Sequence, residues 1–143
     1  MRNTIKLKGD GRYEEANASG VITPGQFIKV DADKKVLRHA TVGGGGERLF
    51  AIEDPFQGRT IDDNYAVDDL VRYEAAVPGQ EILAILDAGE NVVAGAALQS
   101  AGNGNLEART STNEIVAYAM EPLNLSGSGA VATRIAVRVA NTH

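Results

Sequence analysis

The chain alternates apolar and polar residues over short stretches and breaks them with glycine. Over 131–139, Val131, Thr133, Ile135, Val137 and Val139 alternate with Ala132, Arg134, Ala136 and Arg138. This is the period-two pattern of a half-buried strand with two arginines on its outer face. Over 70–77, Val71, Tyr73, Ala75 and Val77 share one face, and Leu70, Arg72, Glu74 and Ala76 the other. Similar runs predict strands over 26–30, 48–52, 81–86 and 114–120. Between two of these lies Val77-Pro78-Gly79-Gln80. Proline presets φ at the first central position of a type II turn and glycine supplies the positive φ needed next, so a tight corner is predicted there. Ala88–Ala97 is rich in alanine, but Gly89, Val92, Val93 and Gly95 argue against a helix. The expected fold is all-β, a small β-barrel or β-sandwich-like domain of short strands.

The pattern also echoes itself. Residues 22–38 align with 92–108 at a shift of 70, matching Ile22 with Val92, Pro24-Gly25 with Ala94-Gly95, Ile28 with Leu98 and Val36 with Leu106. Each copy reads as turn, strand, tight turn, strand. The next strands end in Glu53-Asp54-Pro55 and Met120-Glu121-Pro122. Two similar β-units are expected.

Composition narrows the function classes. A chain of 143 residues suits one domain and can bury about 70% of its unfolded surface without disulfide or metal staples. It has no cysteine, which excludes thiol catalysis and cysteine-ligated zinc. The net charge of −5 argues against nucleic-acid binding, which needs clustered cations. Residues 1–13 carry net +3 and the remainder net −8. This contrast predicts an extended basic N-terminal arm over residues 1–19 and a single β-rich domain over 20–143. Arg2, Lys6, Lys8 and Arg12 are the arm's candidate partner contacts. Tyr13, Phe56 and Tyr65 lie in less regular segments and are candidate aromatic contacts, whereas Phe27, Phe50 and Tyr118 are expected in the core. No apolar h-region follows Met1 and no long apolar run occurs, so cytoplasmic synthesis and no membrane association are expected.

Candidate chemistry is sparse. The histidines are His39 and His143, and no Gly-x-Ser-x-Gly occurs. A nucleophile therefore lacks a recognisable base. Gly43–Gly46 is followed by Glu47-Arg48 and a predicted strand, not by the Gly-Lys-Ser/Thr and helix of a phosphate loop. It reads as a mobile connector, or as a loop ordered by a neighbouring subunit. Asp62, Asp63, Asp68 and Asp69 could suggest calcium, but turn-forming and solubilising roles fit better. No catalytic, cofactor or metal site is expected.

The order of motifs resembles the small capsid decoration (cement) proteins of tailed bacteriophages. The resemblance runs from Gly20-Val21-Ile22-Thr23-Pro24-Gly25-Gln26-Phe27-Ile28 through Val77-Pro78-Gly79-Gln80-Glu81-Ile82-Leu83-Ala84 and Asp87–Ser100. It continues with Ala101-Gly102-Asn103-Gly104-Asn105-Leu106 and closes on Ile115–Glu121 and Arg134–Val139. Gln26 and Ala96 stand where some relatives carry an acid. The resemblance implies a non-enzymatic homotrimer on the outside of the expanded capsid. Such a protein bridges major capsid protein subunits and stabilises the virion. The competing expectation is a stand-alone ligand-binding or tail-associated β-domain.

Overall fold

In the computed structural model, which describes residues 2–141, thirteen strands and one 3-10 turn account for the regular structure. The first six strands are β1 (Lys6–Lys8), β2 (Arg12–Asn17), β3 (Phe27–Val30), β4 (Val36–Arg38), β5 (Leu49–Ala51) and β6 (Leu70–Ala75). They are followed by β7 (Glu81–Leu86), β8 (Asn91–Val92), β9 (Ala97–Ser100), β10 (Leu106–Ala108), β11 (Ala117–Ala119), β12 (Leu123–Asn124) and β13 (Thr133–Val139). The strands expected around 26–30, 48–52, 70–77, 81–86, 114–120 and 131–139 are all present, shortened by up to three residues at an end.

The strands close into two barrels. The first has the order β2-β6-β5-β3-β4, and a parallel bridge between Ala18 and Val36 brings β4 back to the end of β2. The second has the order β7-β13-β11-β9-β10, closed by the parallel pair Leu106 and Leu86. Its topology is that of the first barrel, strand for strand, and even the register repeats. Tyr13 faces Glu74 as Glu81 faces Arg138. Phe50 faces Glu74 as Tyr118 faces Arg138. Phe27 faces Phe50 as Ala97 faces Tyr118, and Val30 faces Val36 as Ser100 faces Leu106.

The connecting hydrogen bonds repeat too. Gly25 N donates to Ala51 O at 2.8 Å and Gly95 N to Ala119 O at 2.7 Å. His39 N donates to Phe27 O at 2.9 Å and Arg109 N to Ala97 O at 2.9 Å. The echo seen in the sequence is thus a structural repeat. What the two copies share is the face each side chain occupies: Ile28 and Leu98, Val36 and Leu106, Val71 and Ile135 are all buried. Alternation fixes these positions, because a one-residue slip would expose the whole apolar set.

The barrels meet along an apolar seam. In β3 and β5, Ile28, Leu49 and Ala51 point into the first barrel's core, while Phe27 and Phe50 join a second cluster with Ile5, Ile52, Ile61 and Leu83. Both faces of β5 and of the start of β3 are therefore buried. At the seam the backbones come close, since a Cβ on Gly25 would lie 2.8 Å from Leu83 O. Polar clamps fix the geometry. Phe27 N donates to Gly104 O at 2.8 Å, and Arg134 donates to Pro24 O at 3.2 Å and to Ile61 O. The buried Arg48 guanidinium reaches across to Glu114 Oε1 at 2.7 Å and Ile115 O at 3.0 Å.

Two expectations are corrected here. Residues 1–19 were expected as an arm separate from the body, but β1 pairs with β7 and β2 forms a wall of the first barrel. Leu83 N donates to Ile5 O at 2.7 Å, and Ile5 has no exposed surface. The start of β7 would otherwise present an open edge, which β1 covers. Gly43–Gly46, expected as a mobile connector or as a loop ordered by a neighbouring subunit, is held by contacts within the chain. It packs on the chain's own second barrel, with Gly43 N donating to Ser100 O at 2.9 Å. A Cβ on Gly45 would fall 1.3 Å from the Glu114 carboxylate, so a larger residue there would push that carboxylate aside.

Candidate interaction surfaces

The polar groups that suggest chemistry are spent on the fold. The His39 ring stacks on Phe27 at 4.5 Å, with Nε2 3.0 Å from Gly45 O and Nδ1 2.7 Å from Ser100 Oγ. A carbonyl only accepts, so Nε2 carries the proton and Nδ1 accepts from the serine hydroxyl. This Ser–His pair has a nucleophile's composition, but Ser100 is fully buried. His143 lies outside the described residues. The aspartates build turns. Asp63 accepts from Thr60 N at 2.7 Å and from its hydroxyl at 3.1 Å, and these bonds lower its pKa. Asp68 pairs with Lys35, and Asp69 with Arg59. Among the described residues no group of three His, Asp or Glu is placed to hold a metal.

Aromatic side chains emerge at two places instead. On the first barrel, β2 turns Tyr13 outward and β6 turns Arg72 outward beside it. The guanidinium carbon lies 4.2 Å from the Tyr13 ring centroid and 5.5 Å from that of Phe56. Phe56 is held in place by the 3-10 turn Pro55–Gln57, whose cap Asp54 accepts from Phe56 N at 3.1 Å. Lys6 Nζ also lies over Tyr13, 4.8 Å from its ring centroid. Its pKa is raised by a hydrogen bond with Tyr13 and then by one with Asp10. Phe56 is 88% exposed, Tyr13 48% and Leu70 39%. A cation between two rings is favourable by about 0.5–1 kcal/mol per contact at an exposed site, enough to preorganise the cluster.

On the second barrel, Ala94, Gly95, Tyr118, Ala119, Met120 and Arg138 line a depression of about 360 Å³. Val93, beside it, is 67% exposed and Tyr118 40%. Tyr118 was expected in the core. Its strand is in place, but the side chain lies on the barrel's outer face and is 40% exposed. The signal that points to this residue is the repeat, which places it at the position of Phe50.

The predicted contact residues divide. Tyr13 and Phe56 are exposed and adjoin the same guanidinium. Tyr65, also expected as a surface contact, is fully buried. Its hydroxyl donates to Ile52 O at 2.6 Å, and burial pushes its pKa up to about 12. It is a core residue because an antiparallel bridge to Ile22 carries its segment under the first barrel. Most basic residues of the N-terminal segment are neutralised within the chain. Arg2 makes a two-pronged contact with Glu121 at 2.6 and 3.0 Å, Lys6 pairs with Asp10 at 3.0 Å and Arg12 with Glu14 at 3.3 Å. Lys8 is exposed and makes no ion pair among the described residues.

The architecture is that of an all-β protein built from two register-matched barrels in tandem. No protein-family model matches the chain, and no curated protein matches it either. Among solved structures, the N base of head fiber gp8.5 in bacteriophage phi29 is similar in fold, with a TM-score of 0.59 at 10% sequence identity. The match covers 92% of this chain and 95% of that one, so both barrels are included.

Proposed function

We propose that the chain is a structural protein of a tailed-phage virion, a decoration protein that assembles as a homotrimer on the outside of the expanded capsid. It stabilises the shell by bridging major capsid protein subunits. The observation that carries this reading is the fold likeness to a phage head fiber base over nearly the whole of both chains. The surface supports it, for two exposed aromatic patches on a rigid double barrel suit protein contacts. Lys8, exposed and outside the ion pairs that neutralise its neighbours, is suited to an acidic region of the shell. Each contact can be weak, because many copies act on one lattice.

The test is co-sedimentation of purified protein with expanded, undecorated capsids and with unexpanded precursors. Saturating, stoichiometric binding to the expanded form is expected. Binding to neither form would refute the proposal and favour a stand-alone or tail-associated domain.

A further inference from the structure

The repeat makes a comparison possible within one molecule: the same outer face can be inspected where it is covered and where it is bare. Inside the chain, the outer face of β3–β5 on barrel one packs against the outer face of β7–β13 on barrel two. The covering face presents Phe27, Phe50 and Ile52, all at most 2% exposed. The covered face presents Leu83, Ile85 and Ala136, all at most 7% exposed.

Each face has a register-equivalent on the other barrel. The equivalents of Phe27, Phe50 and Ile52 are Ala97, Tyr118 and Met120 on barrel two. Tyr118 and Met120 line the bare depression, and the exposed Val93 lies next to its lining residue Ala94 in the chain. The equivalents of Leu83, Ile85 and Ala136 are Glu15, Asn17 and Arg72 on barrel one. This is the face on which Tyr13, Leu70 and Phe56 are exposed. The two aromatic patches of the chain are thus the two halves of its own seam, each left without its counterpart.

We infer that a second copy of this chain supplies the counterpart. The Val93–Tyr118–Met120 face of one copy docks on the Tyr13–Phe56–Leu70–Arg72 face of the next, as barrel one docks on barrel two within the chain. The contact is head to tail, and such contacts close into a ring when the rotation between copies allows it. Glu15 and Asn17 replace Leu83 and Ile85 because the bare face meets water before assembly, whereas the seam is never open. A polar rim around an aromatic centre is the composition of a subunit contact that forms from soluble partners. The inference deepens the proposed function by naming where the copies of the assembly touch.

The test uses two full-length variants and sedimentation velocity, without capsid. Val93→Asp with Tyr118→Glu destroys the first face, and Phe56→Asp with Leu70→Glu the second. The wild type is expected to form an assembly larger than the 15.0 kDa chain, and each variant alone to sediment as a monomer. Mixed one to one, they are expected to form a dimer, because each retains the face its partner lost. Circular dichroism melts check that both variants fold; a variant that does not fold is replaced by its single substitution Tyr118→Glu or Phe56→Asp. A wild type that stays monomeric up to about 0.1 mM overturns the inference. So does a folded variant that still assembles alone, or a mixture that yields no dimer. Capsid co-sedimentation of the same proteins reads the proposed function separately, so capsid binding that survives loss of self-association would sink only the inference.

Discussion

Phe50 and Tyr118 occupy the same register position in the two barrels, each opposite an outward residue of the neighbouring strand. Intrinsic strand preference and ladder position are alike, so replacing each by alanine compares what the surroundings of each ring add. Phe50 is fully buried, 5.5 Å from Phe27 and within the seam cluster. Truncating a buried phenylalanine costs about 3–5 kcal/mol through lost transfer free energy and the cavity left behind. With an unfolding entropy of about 2.1 cal/mol/K per residue, that lowers the melting temperature of a chain this long by about 10–17 °C. Tyr118 is 40% exposed in the single chain. Tyr118→Ala is expected to cost less than about 1 kcal/mol, a shift of a few degrees. The assay is thermal or urea unfolding of dilute, monomeric protein, followed by circular dichroism. Comparable losses for the two variants would refute the reasoning, because they would mean that both outer faces are packed in the same way.

Deleting residues 2–8 removes β1 and the fully buried Ile5 and reopens the edge of β7. The loss of stability is expected to exceed about 2 kcal/mol, and an unchanged melting curve would show that β1 is dispensable. Glu114→Ala strands the Arg48 guanidinium, whose side chain is 1% exposed, and is expected to cost about 3 kcal/mol. Adding Arg48→Met should restore part of that loss in a double-mutant cycle; additive losses would mean that the pair is not coupled. The Arg2 guanidinium holds the Glu121 carboxyl below its ordinary value of 4.5. The folded state therefore binds this proton less readily than the unfolded one. Its contribution is complete above the unfolded value and is lost as pH falls through the lower folded one. Glu121→Gln should accordingly flatten the fall in stability on acidification, and equal slopes for variant and wild type would contradict this.

Period-two alternation and glycine turns placed the strands in the sequence. Glu81–Leu86 is found between the expected limits, and the shift of 70 carries Phe27–Val30 onto Ala97–Ser100 and Val36–Arg38 onto Leu106–Ala108. These are short-range properties, since one residue's face is set by its neighbours two positions away. The absence of thiols was equally plain, but the pairing of His39 with the distant Ser100 was not. The N-terminal strand was not, although Ile5-Lys6-Leu7-Lys8 alternates, because its partner lies in β7, beyond the whole of the first barrel. Charge contrast drew attention to an arm, whereas pairing with Glu121, Asp10 and Glu14 places most of that charge within the fold.

Only the tertiary structure decided which face of each strand meets water. Phe50 and Tyr118 are alike in local pattern, yet one is buried and the other exposed, because barrel one has a barrel to cover and barrel two has none. Tyr65 and Phe56 were alike as aromatics in irregular segments. One is pinned beneath a barrel by its bridge to Ile22, and the other is lifted out by a capped 3-10 turn. Alternation determines that a strand has an apolar face and an outer face. What lies against the outer face depends on residues far away in the chain, or on another molecule.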